Sequence, residues 1–240
     1  MRIRIGLELY SDHVIAWALD YPGCFADGAD STEAVLRVPQ AVAGYQNWVS
    51  QHTEDSWLTD LIDFDVRLEE TWQVYFIDND FEEATEGEEI NAWFRNDWKP
   101  LTMLEVRRGI KVLSFSRTDL LASAAGLSAE QLDETHPNEQ WPIRGILGHV
   151  ANAEWYYLDA MGLAGSSKAG LAEDVFERLE QVRARMVSVL PELAGENQVV
   201  GMTGEFWSPR KLLRRAAWHE HDHINHIRKL LSAQIIPTGH

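Results

Sequence analysis

Near the start of the chain, apolar and polar positions alternate. In residues 3–9, Ile3, Ile5, Leu7 and Leu9 are separated by Arg4, Gly6 and Glu8, the period-two pattern of a half-buried strand. Residues 14–19 (Val-Ile-Ala-Trp-Ala-Leu) are a nearly continuous apolar run, and the polar Tyr10-Ser11-Asp12-His13 between the two predicts a hairpin loop. Residues 22–28 (Pro-Gly-Cys-Phe-Ala-Asp-Gly) are expected to break regular structure. Asp30 and Glu33 then stand at capping-box spacing, and Val35, Val38, Val42, Tyr45 and Val49 recur at the three- and four-residue steps of an amphipathic helix. Pro39 inside that stripe predicts a kink or a restart. Phe64, Val66 and Leu68, and then Trp72, Val74 and Phe76, alternate again as one or two further strands. This part of the chain reads as a small α+β domain.

Residues 78–89 hold seven acids, no bases and one Gly, a solvated loop or linker by composition. Beyond Pro100 the periodicity becomes helical. Thr102-Met103-Leu104-Glu105 predicts a capped helix running to about Gly126, and Trp141-Pro142 opens a second that ends near Gly162. A third runs from Asp174 to about Leu190, and Ser208-Pro209 caps a fourth that reaches about Ala233. Four such helices read as a four-helix bundle whose order is left open, with residues 101–240 expected to bury a continuous core of their own. The fold class expected is an α+β N-terminal domain, residues 1–95 with the acidic linker at its end, followed by an all-α bundle, residues 96–240.

Charge sharpens this division. Of the net −17, residues 1–100 carry −15, with six Lys and Arg against 21 Asp and Glu, and residues 101–240 carry −2. The first domain should therefore repel a phosphate backbone, which excludes nucleic acid as its partner. No apolar run approaches the roughly 20 residues of a membrane span, and the N-terminus lacks the apolar segment of a signal peptide, so a cytoplasmic protein is expected. The single cysteine, Cys24, excludes an internal disulfide; without a nearby base it reads as a packing or turn residue.

The chemistry concentrates in the fourth helix. In Trp218-His219-Glu220-His221-Asp222-His223-Ile224-Asn225-His226, His219 and His223 lie roughly 40° apart on one helix face, and His226 lies about 20° from His219. His221 falls near the opposite side and is expected to face solvent. Imidazoles at i and i+4 can share one metal ion, and a third ligand must then come from elsewhere. His149, among the small residues Gly148, Ala151 and Ala153 of the second helix, is the candidate, and His226, which shares the face of His219, could replace it as third ligand. Three imidazoles leave coordination positions for water or substrate, as catalytic sites do. Asp222 and Glu154 are candidates to hold the rings from behind. Trp155, Tyr156 and Tyr157 read as packing, with one ring walling the pocket. Arg210, Lys211, Arg214 and Arg215 read as a solvated basic face, with an anion site as the alternative.

Residues 148–157 (Gly-His-Val-Ala-Asn-Ala-Glu-Trp-Tyr-Tyr) and 207–227 (Trp-Ser-Pro-Arg-Lys through His-Glu-His-Asp-His-Ile-Asn-His-Ile) together resemble the DinB-like superfamily over residues 101–235. That resemblance implies a metal-binding four-helix bundle with metal ligands His149, His219 and His223. It also implies a homodimer and a metal-dependent enzyme acting on a small molecule. A thiol-dependent S-transferase using a low-molecular-weight thiol leads. A metal-dependent hydrolase, and a non-catalytic binding protein whose N-terminal domain makes partner contacts, are the alternatives. The expected cofactor is a divalent ion, Zn or Ni first and then Fe. Tyr21-Pro22-Gly23-Cys24-Phe25-Ala26-Asp27-Gly28, followed by the helix beginning Ser31-Thr32-Glu33-Ala34, is similar to a HicB-like domain over residues 3–50. No antitoxin activity follows, since no separate DNA-binding segment accompanies it.

Overall fold

A computed structural model describes residues 1–55, 63–137 and 139–234. It separates into two compact units, Met1–Thr102 with Gly195–Arg214, and Met103–Ala194 with Arg215–His240.

In the first unit, strands β1 (Arg2–Leu9) and β2 (Val14–Ala18) pair antiparallel across the expected loop. Ile3, Ile5 and Leu7 are buried, as the alternation requires. Residues 22–28 do not simply interrupt the sheet: β3 (Phe25–Gly28) pairs antiparallel with β2. Phe25 and Ala26 pair with Trp17 and Ala16, so a run flanked by Pro-Gly and Gly still contributes a strand. Helix α1 (Ser31–His52) packs on β2 and β3 through Ala34, Val38, Val42, Tyr45 and Val49. Asp30 caps it by accepting from the Glu33 amide, while Glu33 reaches back to the amide of Ala29. The expected restart at Pro39 does not occur, and the helix is continuous. Pro39 lies on the exposed side, where helical carbonyls can tilt toward solvent.

Helix α1 crosses over to β4 (Asp65–Gln73), which pairs parallel with β1 and completes a sheet of order β3-β2-β1-β4. The register shifts between Ile5 and Gly6. A Cβ on Gly6 would sit 2.7 Å from the Phe94 ring, so this glycine admits a close approach by a fully buried aromatic. The acidic stretch is not a bare linker. Strands β5 (Tyr75–Ile77), β6 (Glu83–Ala84) and β7 (Glu88–Ile90) form a small antiparallel sheet of order β6-β5-β7, the acids pointing largely to solvent.

The second unit contains α2 (Met103–Ala124), a short α3 (Ala129–Leu132), α4 (Ile143–Ala160) and α5 (Val175–Val189). A two-stranded hairpin, β8 (Val200–Met202) and β9 (Glu205–Trp207), precedes α6 (Pro209–Gln234). Its turn, Thr203-Gly204, has φ of 49° and 79°, the two positive values of the tight hairpin turn that glycine favours. Leu120, Ile143, Ile146, Leu147, Val150, Leu179, Val182, Ile224 and Ile227 form one buried cluster drawn from α2, α4, α5 and α6. Among the described residues, no helix is long and apolar enough to cross a membrane.

The compact units are thus not the consecutive stretches 1–95 and 96–240. The hairpin and the first six residues of α6 group with the sheet-containing unit, and the same helix continues into the helical one.

Candidate metal centre

Helix α6 presents His219 and His223 one turn apart, and α4 presents His149 toward them. The Nε2 atoms of His219 and His149 are 3.0 Å apart, and those of His223 and His219 are 3.2 Å apart. One ligand atom from each of the three rings lies within 4.8 Å of the others, and this is the group of metal-ligating side chains found among the described residues. Two nitrogens held to one ion by bonds of ~2.05 Å in tetrahedral geometry stand about 3.3 Å apart, so the two closest spacings suit a shared first-row cation. His219 is 8% exposed, while His149 and His223 are half-buried, which leaves one side of the cluster open to solvent.

The rings are fixed by their neighbours. The Trp141 ring stacks on His149 with centroids 4.7 Å apart, and Tyr157 meets His219 edge-on at 6.0 Å. Of the aromatic run 155–157, Tyr157 is therefore the ring at the site. Trp141, two residues before α4, is the wall that the periodicity did not single out.

Electrostatics keep the three imidazoles in their ligand form. Burial lowers the pKa of His149. Burial, then the neighbouring His223, His149 and Arg215, hold His219 well below the usual imidazole range. Burial, with His149 and His226 beside it, brings His223 down to about 4. Near neutral pH all three are uncharged, the state in which imidazole offers a lone pair to a metal. The donor set fits a divalent transition ion: three neutral nitrogens from two helices, with coordination positions to spare.

Two further histidines of α6, His226 and His221, are not part of this group. His226 shares the helix face, but its Nε2 is 2.7 Å from Glu139 Oε2 and its ring is 6.1 Å from that of His223. His221 is half-buried rather than solvent-facing, and burial lowers its pKa. Glu154 does not hold a ring: its carboxylate accepts from Arg117 and Arg183 in a buried ion cluster with Glu220. Asp222 is half-buried on α6.

Neither expectation for the basic cluster of α6 holds, since all four side chains are at most 9% exposed. Arg210 donates to the carbonyls of Lys99 and Pro100. Lys211 pairs with Glu205 at 2.8 Å and stands 4.9 Å from the Trp207 ring centroid. Arg214 pairs with Asp97 at 2.8 Å, 4.8 Å from the rings of Trp17 and Phe94. Arg215 lies over the Trp218 ring. Carbonyls and a carboxylate more than a hundred positions away thus close on Arg210 and Arg214, the nearby Glu205 on Lys211, and the Trp218 ring on Arg215.

Cys24 is buried, and burial pushes its thiol up to about 12. A thiol is reactive through its thiolate. Iodoacetamide at pH 8 should leave Cys24 unmodified in the folded protein and alkylate it fully in urea. Equal labelling rates in the two states would show that the packing role is wrong.

Residues 113–227 match the family model of the DinB superfamily. No curated protein matches the chain. Among solved structures, the chain is similar to one described as "YfiT from Bacillus subtilis is a probable metal-dependent hydrolase with an unusual four-helix bundle topology", at 19% identity and a TM-score of 0.44. That match covers 57% of this chain and 94% of the other.

Proposed function

We propose, from the match of residues 113–227 to the DinB superfamily model, that the chain binds one divalent metal ion through His149, His219 and His223 and uses it in catalysis on a small molecule. The observation that carries the proposal is the convergence of three neutral imidazoles, with Nε2 separations of 3.0 and 3.2 Å between neighbours. A bound ion at such a site supplies Lewis-acid chemistry and lowers the pKa of a coordinated water or thiol. The chain's own part is to hold three lone pairs in place. Trp141 stacks on the ring of His149 and Tyr157 meets that of His219 edge-on, and the half-buried His149 and His223 leave an approach for substrate.

A thiol-dependent transferase is the leading reaction class and a metal-dependent hydrolase the second, since both need an open position beside the ligands. In either case the bundle carries the chemistry. A homodimer and a cytoplasmic setting complete the proposal.

The test is metal analysis after loading with Zn or Ni and removal of excess ion. About one ion per chain is expected, with exchangeable ligands in the remaining positions. A cobalt-loaded sample whose visible spectrum shifts on adding a low-molecular-weight thiol supports transfer chemistry. A spectrum indifferent to thiol, together with turnover of ester or amide substrates, assigns hydrolysis. Absence of stoichiometric metal overturns the proposal.

A further inference from the structure

Beneath the histidines lies a second cluster, built from one charged residue on each of the four long helices of the helical unit. Arg117 of α2 and Arg183 of α5 face Glu154 of α4 and Glu220 of α6, all four at most 8% exposed. Arg117 donates from Nη2 to Glu154 at 2.7 Å and from Nε to Glu220 at 2.5 Å. Arg183 donates from Nε to Glu154 at 2.7 Å and from Nη2 to Glu220 at 2.6 Å. Ser116 adds a hydrogen bond to Glu220 at 2.8 Å. The remaining Nη1 of each arginine goes to the backbone of the other's helix, Arg117 to the Leu179 carbonyl and Arg183 to that of Leu113. Two cations and two anions cancel, and each carboxylate is gripped by both guanidiniums.

The places of the glutamates give this cluster its meaning. Glu220 follows His219 directly, about 100° further round α6, and Glu154 lies five residues after His149, about 140° round α4. Each metal-bearing helix thus shows histidine on one side and a gripped carboxylate on another. Apolar packing alone is non-directional and tolerates small slips. A buried ionic cluster does not, because a rotation or a one-residue slide of either helix would strand a carboxylate without its partners in a dry interior. The electrostatics agree: burial raises the pKa of Glu220, yet Arg183 and Arg117 outweigh it and hold the group ionised. Burial likewise works against the charge of Arg183, and Glu154 and Glu220 more than offset it.

We infer that Arg117 and Arg183 are positioning residues for the histidine site: by gripping Glu154 and Glu220 together, they set the rotation and register of the two helices that carry His149, His219 and His223. The inference rests on the metal reading above for its consequence, but the register itself can be observed without metal.

The experiment compares the wild type with two variants. One replaces the cluster by apolar residues of similar size (Arg117→Met, Arg183→Met, Glu154→Leu and Glu220→Leu together), an exchange that buried ion clusters often tolerate in stability. The other is Arg183→Lys, which keeps the charge but lacks the fork that reaches both carboxylates. Zinc affinity is measured by competition with a chromophoric chelator, folding by thermal melts, and register by the nuclear Overhauser contact between the His149 and His219 rings in metal-free protein. For the fourfold variant, a cooperative melt, a loss of the ring contact and a fall in affinity of at least ~10-fold are expected, with a smaller fall for Arg183→Lys. Wild-type affinity and ring contact in the fourfold variant overturn the inference and leave the metal reading standing. If that variant does not fold, the same result in Arg183→Lys overturns it. A lowered melting temperature with unchanged affinity in the folded protein also overturns it, since that is a purely structural role. If the wild type binds no zinc, the metal reading falls; loss of the ring contact in the variants then still establishes the register role.

Discussion

Asp97→Ala is expected to destabilise the sheet-containing unit by about 3–5 kcal/mol, because it leaves a buried guanidinium without its counter-charge. Asp97 is 1% exposed and Arg214 is 5% exposed, with 2.8 Å between their charged atoms. Screening by water is slight at such burial, unlike that of an exposed pair such as Arg37 with Glu33, where about 0.3–0.5 kcal/mol is the usual worth. The carboxylate has a second duty. It accepts from the Phe94 amide at 2.9 Å and so closes the short turn 95–98. Asp97→Asn, which can keep part of that bonding, should lose less. Urea denaturation followed by tryptophan fluorescence reads both. A change of under 1 kcal/mol for Asp97→Ala would mean that Arg214 finds solvent or another acceptor at little cost. The same geometry bears on fragments: one beginning at residue 101 keeps Arg214 and removes Asp97, so residues 101–240 should fold less stably than the helical core alone suggests.

The histidine site was legible because helical periodicity is a local property. His219 and His223 fall one turn apart whatever the rest of the chain does, and small residues around His149 permit another helix to come near. The capping of α1 by Asp30 and the strand pattern of residues 3–19 are local in the same sense. What the sequence concealed depends on partners far apart in the chain. Arg210, Lys211, Arg214 and Arg215 have the spacing of a solvated face, yet Asp97 and the carbonyls of 99 and 100, more than a hundred positions away, hold Arg214 and Arg210 inward. Glu154, five residues from His149, reads from sequence alone as a support for a ring. Its true partners are 37 and 29 positions away. Short strands suffer likewise: β3 lies in a Pro- and Gly-flanked stretch and β6 among acids, and each is a strand by virtue of the neighbour it pairs with.

His149→Ala, His219→Ala and His223→Ala are each expected to abolish stoichiometric metal binding, while His221→Ala leaves it intact. Losing one of three nitrogens removes a coordinate bond outright, so the drop in affinity should exceed the 10–100-fold typical of losing an outer-shell partner. His226→Ala should also keep full occupancy, because His226 is engaged with Glu139 rather than with the three rings. The dependence on pH has a definite sign. A free imidazole is half protonated near pH 6.5, and its proton competes with the ion from there downward. Here burial lowers the pKa of all three rings, that of His223 to about 4. Protons therefore compete only at lower pH, and affinity should hold below 6.5 before it falls. Zinc competition with a chromophoric chelator from pH 8 to pH 4.5 measures the onset. An affinity that drops from pH 6.5 downward with the steepness of three free imidazoles would show that the rings are solvated and not gathered. If His149→Ala retains its ion while His226→Ala loses it, the third ligand comes from α6 itself and the interhelical site is wrong.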